Sequence, residues 1–306
     1  MPGALDARRL NHLAAIASVG VAATLVGAKL AIWILSGSVA ILGSLVDSGL
    51  DAIASIVTFI SVRQAAQPPD RAHRYGHGKA EPLGAFVQAG FVLGSAFFLA
   101  AEAIQRIAAP QPIEQSRIAI AVLALAILLT AALIGLQRVV VRRTGSIAIE
   151  ADSLHYRSDL LMNLAVILVL VLTEATDWPL FDPLLGLAIV AVLLYSALGV
   201  ARRALDMLMD RELPSAKRAQ IRELALDHPK AQGVHDMRTR RAGSDLFIEL
   251  HLELAGELSL EQAHDAAHQV EQRIRQAFPD ADIIVHQEPA GLKDERLDAR
   301  IAAHED

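Results

Sequence analysis

The sequence contains no cysteine, which excludes disulfide bonds, iron–sulfur clusters and zinc sites made of thiolates. It has no H-E-x-x-H motif, the pattern typical of a zinc protease. The first apolar run has no small-residue cleavage site near its end, so we interpret it as a retained span rather than a signal peptide. Apolar residues are abundant instead: 53% of the 306 residues are hydrophobic, and the mean hydropathy is +0.38. This composition indicates a membrane protein.

Apolar runs of about 20 residues or more predict six transmembrane helices, at about 12–35, 39–62, 82–107, 117–141, 147–172 and 183–205. Acidic Glu174, Asp177 and Asp182 lie between the last two. Basic residues lie before span 1, between spans 2 and 3, between spans 4 and 5, and after span 6: Arg8, Arg9, Arg63, Arg71, Arg74, Lys79, Arg138, Arg142, Arg143, Arg202, Arg203 and Arg211. Positive charge marks the cytoplasmic side, so both termini are expected in the cytoplasm.

A change in composition near residue 210 predicts a domain boundary. We expect a six-helix transmembrane domain at 1–209, a cytoplasmic metal-binding domain at 210–289 and a disordered polar tail at 290–306. Residues 210–306 carry 13 Lys and Arg against 20 Asp and Glu, with 7 of the 11 histidines. An acidic, histidine-rich segment favours divalent cations over nucleic acid as its partner.

The segment after residue 210 has the pattern of a helix, two strands, a second helix and a third strand. The hairpin is expected around Ala242 and Gly243, and the second helix after a capping box of Ser259 and Gln262. The last strand should stop at Pro289. These elements predict a small open αββαβ sheet domain.

Two predicted spans carry charged side chains, although a carboxylate at bilayer depth costs at least ~2.5–3.5 kcal/mol. Asp47 and Asp51 are four residues apart in span 2, as are His155 and Asp159 in span 5, so each pair shares a helix face. The spans run in opposite directions. Asp47 and Asp51 lie ~12 and ~18 Å from the outer end of span 2, and His155 and Asp159 lie ~12 and ~18 Å from the inner end of span 5, in a core ~30 Å thick. Asp51 is therefore expected level with His155, and Asp47 with Asp159.

Three carboxylates and one imidazole near the bilayer midplane suit a tetrahedral Zn²⁺, which would compensate the buried charge. The imidazole ligand argues against a site specific for Mn²⁺, whereas Cd²⁺ and Fe²⁺ remain alternative ions for it. The alternative is a hydrogen-bonded cluster of protonated carboxyl groups that ties two helices together.

Two further groups of residues are candidate metal ligands outside the membrane. Asp70, His73 and His77 lie in the loop between spans 2 and 3, where the alternative is an ordinary polar loop. The predicted strands and second helix of the sheet domain carry His235, His251, His264, His286 and Glu288. Glu288, two residues after His286, faces the same side of its strand and could bridge two ions. The alternative there is a set of scattered surface histidines.

Four stretches, "GSVAILGSLVDSGLDAIAS", "HRYGHGKAEPL", "ADSLHYRSDLLMN" and "FIELHLEL", resemble the cation diffusion facilitator family, in particular its bacterial branch that exports zinc and ferrous iron. The resemblance extends to about Pro289. It implies a homodimeric metal/proton antiporter with six spans per protomer and a metallochaperone-like cytoplasmic domain.

The resemblance also implies roles for single residues. Asp47, Asp51, His155 and Asp159 match the family's transport site, and Asp70, His73 and His77 match a loop site. His235, His251, His264 and His286 match a two-metal cytoplasmic site, in which Glu288 stands where the family usually has Asp. Lys79 and Asp210 match a charge interlock of the dimer, and Leu154 matches an apolar gate.

The expected function is therefore export of Zn²⁺ from the cytoplasm across a bacterial inner membrane in exchange for protons. Enzymatic activity is not expected, because four protein ligands leave zinc no open position for a water. One alternative is a membrane-anchored sensor whose tail binds metal without transport, although a sensor needs no ligands at the bilayer midplane. Another is a passive channel that moves metal without protons.

Overall fold

The computed structural model describes residues 4–36, 39–108, 117–176, 181–292 and 296–305. The chain divides into two compact units, Met1–Leu208 and Met209–Asp306. The first unit consists of long helices, and the second combines helices with a three-stranded sheet.

Six long helices form the first unit, and their bounds are α1 Ala4–Ser36, α2 Val39–Ala65, α3 Ala80–Ala108, α4 Arg117–Thr144, α5 Ile147–Thr176 and α6 Phe181–Leu208. Over their described residues, five of them are long and apolar enough to cross a membrane. The side chains of α5 are described only for residues 147–168, and these include Glu150, Asp152, Arg157 and Asp159. The sequence predicts α5 as a span on length, and it packs against α3, α4 and α6.

Small residues allow the helices of this unit to approach closely. One core joins α3, α5 and α6 and contains Ala85, Ala89, Ala197 and Ala204. The turn between α4 and α5 has only two residues, and Gly145 adopts the left-handed φ of +69° that such a tight helix ending favours. Many large apolar side chains of these helices remain exposed, as expected of a surface that faces lipid.

Gly84 on α3 packs directly against Ser61 on α2. A Cβ atom there would lie 2.2 Å from Ser61 Oγ and 2.4 Å from Ser61 Cβ, and rotation of the side chain cannot move the Cβ. Gly84→Ala should therefore separate the two helices and destabilise the protein by about 1–3 kcal/mol. Thermal unfolding of the detergent-solubilised protein measures the effect.

The matched control is Gly90→Ala on the same helix, because a Cβ at Gly90 meets no atom within 4 Å. Alanine has the higher helix propensity, by about 1 kcal/mol, so this variant should unfold at the same or a higher temperature. An equal loss of stability in both variants would contradict the packing argument.

The second unit contains α7 Ser215–Leu226, β1 Ala231–Ala242, β2 Asp245–Leu254, α8 Leu260–Ala277, β3 Ala281–Pro289 and α9 Leu297–Glu305. Its core lies between α7, α8 and the sheet, and includes Ile221, Ile248, Val270 and Ile274. Ser259 caps α8 in a capping box with Gln262, as the sequence predicts. The αββαβ order is confirmed as well.

The sheet has the strand order β1-β2-β3. Strand β2 pairs antiparallel with β1 and parallel with β3. This register aligns His235 with His251 and His251 with His286, so three histidines form one row across the sheet. A bulge interrupts β1 between His235 and Arg238, and within it Asp236 has a φ of +49°.

Part of the segment predicted as a disordered tail, 290–306, is helical in the described structure. Helix α9, Leu297–Glu305, follows the sheet and contacts β1. The low hydrophobicity of the tail suggested disorder, but hydrogen bonds rather than apolar burial attach it. Asp236 accepts the backbone N–H groups of Leu297 and Asp298, both at 2.9 Å.

Candidate metal centres

The first cluster lies where helices α2 and α5 meet. His155 Nε2 is 3.0 Å from Asp51 Oδ1 and 3.9 Å from Asp159 Oδ2. His155 is 4% exposed, and its buried Nδ1 has no hydrogen-bond partner within the described part of the chain. Ligand atoms of the three side chains lie within 4.8 Å of one another, close enough for one cation. Imidazole with carboxylate oxygens is a donor set that zinc accepts.

Two other residues predicted for this site lie beside the cluster. Asp47, one turn before Asp51 on α2, is exposed and is not one of the three grouped residues in the described structure. Leu154, which precedes His155, is buried in the apolar core of α3, α5 and α6. The ligand role of Asp47 and the gate role of Leu154 stay predictions.

A buried polar network surrounds Asp152, one turn before His155 on α5. Its carboxylate accepts hydrogen bonds from Ser18 Oγ at 2.5 Å, Gln137 Nε2 at 2.7 Å and Gln88 Nε2 at 3.3 Å. The donors belong to α1, α4 and α3, so four helices meet at one carboxylate. The network therefore fixes the rotation of α5, which also carries His155.

Three more hydrogen bonds connect neighbouring helices near the cluster. Tyr156 Oη is 2.7 Å from Ser55 Oγ, which connects α5 to α2. Lys29 Nζ on α1 donates to Ser48 Oγ at 2.6 Å and to the carbonyl oxygen of Ser44 at 3.1 Å, both on α2. The ammonium group of Lys29 is thus held against the helix that carries Asp51.

The second cluster lies in the loop between α2 and α3. Asp70 Oδ1 is 3.4 Å from His73 Nδ1, and Asp70 Oδ2 is 3.5 Å from His77 Nε2. Hydrogen bonds from the backbone N–H groups of His73 and Ala72 hold the pKa of Asp70 below its ordinary value. The three side chains present ligand atoms within 4.8 Å of one another. His77 Nδ1 is buried without a partner among the described residues.

The third cluster lies on the sheet of the second unit. His251 Nδ1 is 2.5 Å from Glu288 Oε1, and His235 Nε2 is 3.1 Å from Glu288 Oε2. His286 Nε2 is 3.5 Å from Glu288 Oε1, so one carboxylate touches all three histidines of the row. Two overlapping groups could each hold a cation: His235, Asp236 and His251, and His251, His286 and Glu288.

Glu288 has the ionisation expected of a bridging ligand. Burial raises its pKa, but the hydrogen bond to His251 and the nearby His235 and His286 outweigh this effect, so the pKa of Glu288 lies below its ordinary value. The carboxylate is therefore charged at neutral pH and can bind cations. Its two oxygens face different histidines, an arrangement that suits a carboxylate between two ions.

The remaining predicted residues are His264 and the pair Lys79 and Asp210. His264 lies exposed on α8, where its ring stacks at 6.3 Å on that of His268, and it joins none of the metal-ligand groups. Lys79 donates to the carbonyl oxygen of Leu208 at 3.3 Å, and Asp210 accepts from Arg240 at 3.4 Å. The pairing of Lys79 with Asp210 stays a prediction.

Sequence reasoning missed Glu253 on β2. Its Oε1 lies 3.5 Å from His235 Nε2, and it is the register partner of Glu288 on the neighbouring strand. A signal for it exists: Glu253 follows His251 by two residues, as Glu288 follows His286. Residues two apart share a face of a strand, so this repeat places both carboxylates beside the histidines.

Comparison with known proteins supports the family assignment. The model of the cation efflux transmembrane domain matches residues 15–209, and the model of the cation efflux protein cytoplasmic domain matches residues 213–290. The cation-efflux pump FieF of Shewanella oneidensis is 45% identical over 281 residues, which cover 92% of this chain and 95% of that protein. The cation-efflux pump FieF of Salmonella typhimurium is 43% identical over 284 residues, which cover 93% and 94% of the two chains.

A solved structure of CzrB in its zinc form is 35% identical to this chain, with a TM-score of 0.26, and covers 28% of this chain and 99% of its own. The two domain models together cover most of the sequence, and both FieF pumps align along nearly their whole length. The chain therefore belongs to the cation diffusion facilitator family of divalent-cation efflux proteins.

Proposed function

We propose that this protein exports Zn²⁺ from the cytoplasm in exchange for protons. The proposed transport site consists of Asp47, Asp51, His155 and Asp159. The observation that carries the proposal is the position of His155 Nε2, 3.0 Å from Asp51 and 3.9 Å from Asp159, inside a unit of membrane-type helices. Ionisable side chains within a membrane domain are expensive and usually belong to the pathway of an ion or substrate.

The donor set favours zinc over harder cations. Sites made only of oxygen suit Mg²⁺, Ca²⁺ and Mn²⁺, whereas an imidazole ligand suits Zn²⁺ and its neighbours in the transition series. His155 supplies that imidazole, and no cysteine exists to select softer ions. Fe²⁺ and Cd²⁺ are the cations that we expect to compete most strongly.

Proton exchange follows from the chemistry of the ligands. Carboxylates and imidazole must lose their protons before they bind a metal, so metal binding releases protons and metal release favours protonation. Rocking of the helices around a fixed site would expose the cluster first to the near-neutral cytoplasm and then to a more acidic exterior. The same ligands therefore carry metal outward and protons inward.

The loop and sheet clusters are proposed as resident Zn²⁺ sites. Asp70, His73 and His77 would hold one ion in the loop. His235, His251, His264, His286 and Glu288 are the proposed ligands of the cytoplasmic site, where bound zinc supplies cross-links between strands. Ligand atoms within 4.8 Å of one another support these assignments: they occur in the loop group of Asp70, His73 and His77 and in two overlapping groups on the sheet.

The proposed assembly is a homodimer in the bacterial inner membrane, with both termini in the cytoplasm. The match to a cytoplasmic dimer domain supports two-fold pairing, and the distribution of Lys and Arg supports the orientation. Lys79 and Asp210 are the proposed charge interlock of the dimer, and Leu154 is the proposed gate beside the transport site.

The test is Zn²⁺ flux into proteoliposomes that contain the purified protein, one dye for Zn²⁺ and one for pH. We expect Zn²⁺ uptake with simultaneous movement of protons in the opposite direction. An imposed gradient with an acidic interior should accelerate uptake at least about tenfold, since each pH unit on a coupled proton is worth a factor of ten. A protonophore should remove this acceleration, and protein-free liposomes give the background.

A channel and a sensor predict different results. Zn²⁺ uptake that ignores the pH gradient and moves no protons would indicate a channel. Binding of Zn²⁺ without uptake would indicate a membrane-anchored sensor. Either result would contradict the proposed antiport.

A further inference from the structure

The C-terminal helix α9 is attached to β1 beside the sheet cluster. Asp236 Oδ2 and Oδ1 accept the backbone N–H groups of Leu297 and Asp298, and Asp298 Oδ2 accepts the backbone N–H of Asp236 at 3.0 Å. Asp236 follows His235 directly, and the bulge at this point turns its backbone toward the helix. The tail is thus fixed one residue away from a proposed metal ligand.

The residue before α9 makes the contact with the cluster itself. Arg296 Nη2 lies 2.5 Å from Glu253 Oε1, and this same oxygen lies 3.5 Å from His235 Nε2. The carboxyl group of Glu253 lies over Gly233, where a Cβ would approach Glu253 Oε2 to 2.7 Å. The absence of a side chain at Gly233 therefore allows Glu253 to reach both His235 and Arg296.

The charges of this site explain the contact. Glu253 and Glu288 are paired in register on adjacent strands, and their side chains are only 16% and 12% exposed. Two carboxylates held this close and this far from water require a compensating positive charge. Arg296 provides one guanidinium group to Glu253 Oε1.

A divalent cation bound between His235 Nε2 and Glu288 Oε2 would supply the same compensation. Metal–ligand bonds of about 2.0–2.2 Å would place it between atoms that are now 3.1 Å apart, and Glu253 Oε1 is the next carboxylate oxygen facing His235 Nε2. The cation and the guanidinium group would then share one oxygen at short distance, where like charges repel strongly.

We propose that Glu253 is a further ligand of the sheet metal site and that Arg296 competes with the metal for it. Metal binding then releases Arg296 and loosens α9 from the sheet. Because coupling between two binding events is reciprocal, docking of the tail weakens metal binding by the same factor. The inference rests on the proposed cytoplasmic metal site and is independent of whether the membrane unit exchanges protons.

The first measurement is hydrogen–deuterium exchange of the full-length protein in detergent, with Zn²⁺ or with a chelator. Zn²⁺ should accelerate amide exchange in Leu297–Glu305 at least about fivefold, the lower end of ordinary allosteric coupling. Exchange in α8 should not accelerate, since α8 carries none of the residues in this competition. Unchanged or slower exchange in α9 on addition of Zn²⁺ would overturn the proposal.

The second measurement is a Zn²⁺ titration of full-length Asp51→Ala protein, in which the proposed membrane site is disabled. In the double variant with Asp51→Ala and His235→Ala, one Zn²⁺ binding step should disappear, and this step belongs to the sheet site. Arg296→Gln should tighten this step about fivefold to tenfold. Glu253→Gln should weaken it at least about tenfold, as loss of a ligand or its supporting partner does.

Arg275→Gln is the matched control, because it removes an equal charge from the same unit. Arg275 pairs with Glu271 within α8 and takes no part in the cluster. It should leave the affinity unchanged. If Arg296→Gln and Arg275→Gln changed the Zn²⁺ affinity equally, the proposed competition between Arg296 and the metal would be wrong, although the metal site itself would stand. If no Zn²⁺ binding step depended on His235, both the sheet metal site and the competition would be wrong. The flux assay would still report separately on transport.

Discussion

Asp51→Ala should reduce Zn²⁺ flux in proteoliposomes at least about 100-fold, since even supporting partners of metal ligands are worth 10–100-fold in affinity or activity. The substitution removes the carboxylate that lies 3.0 Å from His155 Nε2. His155 would keep only Asp159, at 3.9 Å, among its two carboxylate neighbours in the described cluster. Flux of Zn²⁺ and movement of protons should fall together, because the same groups are proposed to carry both.

The comparison variant is Glu150→Gln, which removes a carboxylate from the same unit but outside the cluster. Glu150 pairs with Arg203 at 2.7 Å, and both side chains are substantially exposed. Exposed ion pairs contribute only about 0–1 kcal/mol, so this variant should retain flux within about twofold. Both variants should keep the wild-type oligomeric state and still bind Zn²⁺ in the second unit. Wild-type flux by a folded Asp51→Ala protein would contradict the proposed site.

Asp152→Ala should produce the largest loss of stability that we expect from a single substitution in the helical unit. The carboxylate is the shared acceptor for Ser18, Gln88 and Gln137. Three interhelical hydrogen bonds at about 0.6 kcal/mol each give a lower limit near 2 kcal/mol. Gln137 Nε2 also donates to Ser18 Oγ at 3.0 Å and keeps this partner. A buried donor left without a partner costs about 1–3 kcal/mol, so the amide of Gln88 brings the expected loss to about 2–5 kcal/mol. Thermal unfolding in detergent measures it.

Ser153→Ala is a control at the next position of the same helix. Ser153 is equally buried, but its hydroxyl has no hydrogen-bond partner among the described residues. Removal of an unpaired buried hydroxyl should be neutral or slightly stabilising. If Asp152→Ala and Ser153→Ala unfolded at the same temperature, the hydrogen-bond network would not stabilise the protein, and apolar packing alone would hold α5.

The sequence predicts those features of the protein that depend on local pattern. Long apolar runs give the helices, and a spacing of four residues places Asp51 near Asp47 and His155 near Asp159 on their own helices. The proximity of Asp51 to His155 followed from antiparallel spans and matched depths, which is simple geometry in a bilayer of known thickness. The αββαβ order follows equally from strand alternation and turn residues.

Features that depend on packing between distant segments could not be predicted in this way. No local pattern assigns Ser18, Gln88 and Gln137 to Asp152, because their meeting depends on how four helices are rotated. The row of His235, His251 and His286 requires the parallel pairing of β3 with β2, which spacing alone does not give. The attachment of α9 through Asp236 likewise could not be predicted from composition, because hydrogen bonds hold this helix rather than burial of an apolar helix face.

The first cluster, formed by Asp51, His155 and Asp159, has a mechanical consequence. Asp51 and His155 are 104 residues apart in the chain, yet a single cation held by both would tie α2 to α5. Such an ion acts as a removable cross-link, comparable to a disulfide that closes a long loop, in a chain that has no cysteine to form one. At the proposed site, a bound ion would add this cross-link to the Tyr156–Ser55 hydrogen bond, which joins the same two helices without it. Departure of the ion would leave the weaker connection alone, so occupancy of the proposed site would set how firmly α2 and α5 are joined.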